Sequence, residues 1–184
     1  MKQPTTPNEI LEAHKILRRD PQKYLQIANE WVRKNPENSD AYFDRHFAWM
    51  QIGQPRRALD DLSKAIELDP KPADFLARGD VHRHLGEYDK AIEDYDRGEA
   101  IDPAEWQEHA VGLFFQADCH ARLGREAAAL ACCARLPDDF WTPGLFGAPA
   151  GDRDGIADQL RRIAGEAQRR KVGDGHWQQA NARG

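Results

Sequence analysis

Residues of three kinds recur along this chain of 184 residues at a spacing of 33 or 34 positions. They are Pro36, Pro70 and Pro103, then Gly53 and Gly86, then Ala58 and Ala91. Three kinds of marker that keep the same step indicate a repeated structural unit, and a period of about 20 to 50 residues is typical of chains that stack their repeats. The spacing therefore restricts the fold to an array of similar modules.

One period of the sequence predicts two helices joined by a tight turn. The first helical pattern covers Ala73 to Leu85, and Gly86 follows at the point where a left-handed residue commonly ends a helix. The second pattern begins at Tyr88, with small and apolar residues at helical spacing. It ends before Pro103, because proline disfavours helix in the residue that precedes it. Each unit is thus predicted to be a helix–turn–helix hairpin.

The signature positions of these hairpins resemble the tetratricopeptide repeat family, with its large, small and aromatic residues at fixed steps. The unit that matches most fully has Phe75, Arg78, Gly79, His82, Ala91, Tyr95 and Pro103 at these positions. The preceding unit has Tyr42, Arg45, His46, Trp49, Ala58, Leu62 and Pro70. Arginine stands at Arg45 and Arg78 where the family usually has leucine, which changes the chemistry of one helical stripe but not the predicted fold.

The resemblance covers residues 8–136, which divide into hairpins at about 8–36, 39–71, 72–103 and 110–136. In the first of these, Tyr24 replaces the alanine expected where the two helices cross. The resemblance implies an all-α fold: a right-handed superhelical solenoid of hairpins, closed by a C-terminal capping helix.

A connector at residues 137–151 interrupts the register with proline and glycine, which exclude a regular helix. Its Phe140 and Trp141 are too apolar to remain in solvent. We expect the connector to pack on the exposed end of the last hairpin, since a stacked array needs a cap. The alternative is that it lies in the groove of the array and competes there with a partner.

Residues 152–171 predict the capping helix, with basic residues on its outer face. Its apolar stripe consists of Ile156, Leu160, Ile163 and Ala167. Residues 172–184 are predicted to be a flexible tail, and the sequence assigns no role to its Trp177.

Charge and composition favour a cytoplasmic protein that binds neither nucleic acid nor membrane. The formal net charge is −5, with no basic footprint for a phosphate backbone. No run of about 18 apolar residues occurs, and the N-terminal ten residues lack the apolar core of a secretory signal. Three cysteines, two of them adjacent, do not form a disulfide framework.

No pattern in the sequence predicts an enzyme, a metal site or a cofactor. Glycine-rich phosphate loops and the common hydrolase and metalloprotease motifs are missing, and the glycines are scattered at turns. His82 and His120 share the register position usually filled by tyrosine, so we interpret them as packing residues. The cysteines lack the spacing of zinc ligands. We therefore predict no catalytic residues.

The resemblance implies that the first helix of each hairpin lines a concave partner-binding groove. The residues predicted to face it are Phe43, Phe47, Met50, Gln51, Leu76, Asp80, Arg83, His84, Phe114, Asp118 and Arg122. Phe43 and Phe47 lie one helical turn apart and form a single patch. The alternative for Phe43 and Phe47 is that the rings pack internally, and for Phe114 internal packing is the favoured interpretation.

The recurrent arginines Arg45 and Arg78 lie near a helix crossing, where a buried guanidinium needs a carboxylate. The candidate partners by register are Asp44, Asp60, Asp61, Asp80 and Asp94. A structural ion pair in each hairpin is the favoured interpretation, and an anion-binding stripe is the alternative.

We predict a non-enzymatic scaffold or adaptor that holds a peptide segment or a helix of another protein in its groove. A dedicated chaperone or immunity-type partner of one secreted or toxic protein is the alternative, and a nucleic-acid-binding helical repeat is less favoured. Related chaperone co-factors clamp a C-terminal carboxylate with lysine and asparagine. Phe43 and Phe47 occupy those positions here, so binding to chaperone tails is not predicted.

Overall fold

The computed structural model describes residues 7–104, 106, 110–144 and 147–181, and nearly all of these residues that lie in regular structure are helical. The helices are α1 Pro7–Arg19, α2 Pro21–Lys34, α3 Ser39–Gln51, α4 Pro55–Leu68, α5 Pro72–His84, α6 Tyr88–Ile101, α7 Val111–Arg122, α8 Glu126–Ala134 and α9 Arg153–Asn181. Strands β1 Trp141–Thr142 and β2 Gly151–Asp152 form a short antiparallel pair. The predicted all-α class is confirmed.

The chain divides into two compact units, Met1–Leu85 and Gly86–Gly184. The division falls inside the hairpin predicted over residues 72–103, so that α5 belongs to the first unit and α6 to the second. Helix α9 continues to Asn181, beyond the end predicted at residue 171. Residues 145–146 of the connector, 182–184 of the tail and the side chain of Trp177 lie outside the described part of the chain.

The glycines that mark the period end the first helices of successive hairpins. Gly53, Gly86 and Gly124 have φ angles of +72°, +75° and +73°. A side chain is disfavoured in this left-handed region, whereas glycine adopts it without steric cost. The turn predicted at Gly86 is confirmed, and the same turn recurs at the other two positions.

The core of the first unit lies where α2, α3 and α4 pack on one another. Ala28 and Ala58 are completely buried, because only a small side chain allows two helices to approach so closely. Tyr24, which replaces alanine, is also buried, and its ring stands edge-on to Trp31 at 5.9 Å between centroids. The larger ring is therefore accommodated by an aromatic contact inside the first hairpin.

Helix α7 is the centre of the second unit, where it packs against α6, α8 and α9. Nearly every residue from Gly112 to Ala121 is buried, in keeping with a helix that has no polar face. The predicted apolar stripe of α9 includes Ile156 and Leu160, which are completely buried, as is Ala164. Ile163, by contrast, is only half-buried.

The connector folds back on itself through the β1–β2 pair and leads directly into α9. The expectation that Trp141 leaves solvent is wrong, because its side chain is 66% exposed in β1. Further along α9, Gln168 Nε2 donates to the Gly124 carbonyl and Lys171 Nζ to the Leu123 carbonyl, each at 2.7 Å. These carbonyls follow the end of α7, where backbone acceptors have no partner within the helix. The two bonds anchor α9 to the turn of the last hairpin. Of the helices described, none is both long and apolar enough to cross a membrane.

Candidate partner-binding site

An aromatic patch, defined here as His14, Phe43 and Phe47, lies on the first helices of the first unit. The Phe43 and Phe47 rings meet edge-on with centroids 5.5 Å apart, and His14 of α1 meets Phe47 at 6.2 Å. Both phenylalanines are half-buried against the core and half open to solvent, as is Met50, while Gln51 at the end of α3 is exposed. The predicted pairing of Phe43 and Phe47 is confirmed. The sequence analysis missed His14, which lies on a helix with a weaker repeat signature.

His46 lies beneath this patch and fixes its rings. Its side chain is 4% exposed, its ring centroid is 4.0 Å from that of Phe47, and its Nδ1 contacts the Phe43 carbonyl. Burial lowers the pKa of His46 to about 4, against a smaller opposite effect of that carbonyl. The imidazole is therefore neutral at pH 7 and acts as a donor that holds the backbone of α3.

The second predicted strip of the groove, on α5, is more polar. Leu76 and Asp80 are half-buried and His84 is exposed. Arg83 is 6% exposed, and its Nε lies 3.0 Å from Asp80 Oδ1. Because a buried guanidinium must be paired, Arg83 holds the Asp80 carboxylate in position. The Arg83 side chain is itself too buried to contact a partner.

Lys71, at the start of α5, links the predicted groove residues of α5 to those of α3. Its Nζ lies 2.6 Å from Asp40 Oδ1 and 3.4 Å from Ser39 Oγ, both in the first turn of α3. The contact ties together the N-terminal ends of the first helices in consecutive hairpins. Such an exposed ion pair adds little stability, but it fixes the two helix ends in register.

A buried polar network stabilises the hairpin of α3 and α4. Arg45 Nε and NH2 donate to the two Asp61 oxygens at 2.8 and 2.5 Å, and Trp49 Nε1 donates to Asp61 Oδ2 at 2.8 Å. Asp61 is 4% exposed, so its charge is almost wholly compensated by these donors. For Arg45 the favoured interpretation, a structural ion pair, is confirmed, and Asp61 is the partner.

The positions that correspond to Arg45 and Asp61 can be followed along the chain. Arg78 NH1 donates to Ser63 Oγ at 3.2 Å, and its guanidinium lies 5.6 Å from the centre of the Phe75 ring. In the hairpin of α7 and α8, Gln116 and Cys132 take the two positions, with Cys132 Sγ 3.6 Å from Gln116 Oε1. In this hairpin the two positions are therefore uncharged.

The predicted groove residues of α7 are covered by the chain itself. Phe114 is 1% exposed and its ring packs on Phe140 of the connector at 5.7 Å, and Asp118 is completely buried. Arg122 is half-buried, with its Nε 2.9 Å from Asp118 Oδ2 and its NH2 donating to the Gly147 carbonyl at 2.6 Å. For Phe114 the favoured interpretation, internal packing, is confirmed, and the expectation of an open surface at Asp118 is corrected, because the connector lies against this face of α7.

Two buried groups give the first unit opposite responses to acid. The pKa of His46 is lowered to about 4, so between pH 6.5 and 4 the unfolded chain binds a proton that the native chain does not. Burial raises the pKa of Asp74 to about 6, although the Lys71 backbone amide opposes the change, so between pH 6 and 3.8 the native chain binds the extra proton. Acidification therefore destabilises through His46 and stabilises through Asp74.

We expect the Asp74→Asn variant to reveal the effect of His46 alone. Between pH 6 and 4 its free energy of unfolding should fall by about 1.4 kcal/mol per pH unit relative to the native chain. For His46→Gln, the free energy of unfolding should instead rise relative to the native chain as the pH falls from 6 to 4. Of the two buried groups, only Asp74 then remains to bind a proton. Urea denaturation at a series of pH values measures both, and curves that stay parallel to that of the native chain would contradict the assignment.

Comparisons with known proteins agree with this architecture. The tetratricopeptide repeat family model matches residues 50–106. The Hsp70-Hsp90 organizing protein of Triticum aestivum is 35% identical over 86 residues, which are 45% of this chain but only 15% of that protein. This chain therefore corresponds to a small part of such relatives.

Solved structures resemble the chain over most of its length. A crystal structure of MamA has a TM-score of 0.62 at 15% identity, covering 93% of this chain and 99% of that one. A thermophilic tetratricopeptide repeat protein of Thermus thermophilus has a TM-score of 0.60 at 20% identity, covering 90% and 83%. Identities this low show the fold alone, which is the all-α fold of tetratricopeptide repeats. The chain resembles the tetratricopeptide repeat family over residues 50–106 and in its fold, as its sequence predicted.

Proposed function

We propose that this chain is a protein-interaction module that binds a helix or an extended segment of a partner on the first helices of its first unit. The observation that carries the proposal is the aromatic patch, whose two phenylalanines are half open to solvent although they are fixed by His46 beneath them. Rings that are already ordered lose little entropy on binding. Aromatic residues are also the commonest anchors of protein interfaces.

The polar residues beside the patch favour a partner segment that is apolar on one side and polar on the other. Gln51 and His84 are exposed, and Asp80 is held in place by Arg83. They could pair with polar groups that flank an apolar anchor, as in the recognition of an amphipathic helix. The rest of the predicted surface, at Phe114 and Asp118, is left out of the proposed site because the connector covers it.

The relative named as an organizing protein for Hsp70 and Hsp90 suggests chaperones as partners, but the patch favours another ligand chemistry. Phe43 and Phe47 are uncharged, and the nearby Arg45 is already bound on both arms by Asp61. The patch itself therefore offers a terminal carboxylate neither a lysine nor an arginine. We therefore propose an apolar anchor instead of a charged terminus.

The double variant Phe43→Glu/Phe47→Glu is expected to abolish capture of the native partner by affinity purification, since two charges would replace the apolar anchor. Ile101→Glu is the matched control, because Ile101 is an apolar side chain of α6 that is 45% exposed and lies outside the patch. Circular dichroism should show helical spectra for both. Undiminished capture by the double variant would contradict the proposed site.

A second experiment keeps the core unchanged. A photo-crosslinking amino acid at exposed Gln51 is expected to label the captured partner, whereas the same group at exposed Glu67 of α4 is not. Equal labelling from both positions would contradict binding on the first helices.

A further inference from the structure

The second unit contains a pocket that the proposed function does not use. Its volume is about 340 Å³, and it is formed by the C-terminal end of α7, the connector at Gly147, Tyr88 of α6 and one side of α9. Three arginines line it, Arg122, Arg162 and Arg170, against a single carboxylate, Glu166. A pocket with this excess of guanidinium groups is suited to an anion.

Arg122 forms a rigid wall of the pocket. Its Nε is 2.9 Å from Asp118 Oδ2, its NH2 donates to the Gly147 carbonyl at 2.6 Å, and its guanidinium lies 5.8 Å from the centre of the Tyr88 ring. Asp118 is completely buried behind it. Because three contacts fix the guanidinium, little conformational entropy remains to be lost when a ligand approaches.

Helix α9 supplies the opposite wall. Arg162, Glu166 and Arg170 follow one another at four-residue steps and so lie on one stripe of the helix. Arg162 NH1 is 3.2 Å from Glu166 Oε1, but among the described residues no carboxylate lies within ion-pair distance of Arg170. Ile163 and Ala167, one residue further along each step, add an apolar surface to the lining.

Among the residues whose side chains the structure describes, Asp118 pairs with Arg122 and Glu166 with Arg162, and no carboxylate pairs with Arg170. We propose that this pocket binds an oxyanion, a phosphate or carboxylate group, carried by a small molecule with an apolar body. The oxyanion is placed at Arg170, and the body lies against Ile163, Ala167 and the Tyr88 ring.

The test is a nuclear magnetic resonance titration of the full chain with phenyl phosphate, benzoate and inorganic phosphate. We expect saturable shifts of the Arg122 side-chain and α9 backbone signals with phenyl phosphate or benzoate. The tighter of these two identifies the oxyanion. Inorganic phosphate should bind more weakly, because it has no apolar body, and equal affinity would overturn that part of the proposal.

Arg170→Gln is expected to weaken binding about tenfold, the loss of one charge-assisted hydrogen bond. Arg169→Gln is the matched control, since Arg169 is exposed on the same turn of α9 but does not line the pocket. Shifts that do not saturate, or an equal loss in the control, would overturn the proposal. Its outcome is independent of whether the aromatic patch binds a protein.

Discussion

Asp61→Ala is expected to lower the free energy of unfolding by about 3 to 5 kcal/mol, because it leaves a partly buried guanidinium without its carboxylate. Asp61 accepts both arms of Arg45 and the indole N–H of Trp49. Its side chain is only 6% exposed, so water cannot take its place at the buried end of Arg45. Urea denaturation followed by circular dichroism measures the loss.

Two controls separate the buried pair from a general loss of charge. Asp60→Ala removes the neighbouring carboxylate, which is exposed, and should change stability by no more than about 0.5 kcal/mol. Arg45→Leu/Asp61→Leu should recover only part of the loss: apolar residues often replace a buried ion pair without cost, but the Trp49 indole N–H keeps no acceptor. A loss below about 1 kcal/mol in Asp61→Ala would show that the network does not stabilise the hairpin.

Gly112→Ala is expected to destabilise the second unit by about 3 kcal/mol, the upper part of the usual range for overpacking. A Cβ atom at Gly112 would lie 2.0 Å from Cζ2 of Trp106, far inside van der Waals contact. Trp106 is 5% exposed, and a buried ring in a close-packed interior can yield only by moving its neighbours. Thermal unfolding of the variant measures the effect.

Gly165→Ala provides a control of opposite sign. Gly165 lies inside α9, and the nearest atom to its added Cβ is the flexible end of Arg169 at 3.4 Å. Replacing a glycine inside a helix should stabilise by about 0.5 to 1 kcal/mol. Equal stability of Gly112→Ala and the native chain would contradict the close contact between α7 and Trp106.

The helices could be predicted from the sequence because their signals are local and repeated. The turn glycines and the alanines at helix crossings occur in step, and the structure places them in left-handed turns and in the core. The sequence also indicated that position 46 is buried. His46 corresponds in the repeat to Gly79, where two helices approach closely. That position predicted a small residue, and the sequence alone did not show that a neutral histidine would fill it.

The surface of α7 could not be predicted, because its burial depends on residues outside the repeat. Phe114 fits a groove position by register, but the connector brings Phe140 against it. Likewise, five aspartates were candidates for the two arginines, and only the packing of α3 on α4 selects Asp61 for Arg45. The repeat determines where each helix lies, and non-repeating segments determine which faces stay open.

The most direct test of the proposed interaction surface is hydrogen–deuterium exchange of the chain with and without its captured partner. The partner should slow exchange in Ser39–Gln51 and Pro72–His84, the first helices of the first unit. Exchange in Val111–Arg122 should not change, because the connector already covers that helix. Protection confined to Val111–Arg122, or to the second helix Pro55–Leu68, would contradict binding at the aromatic patch.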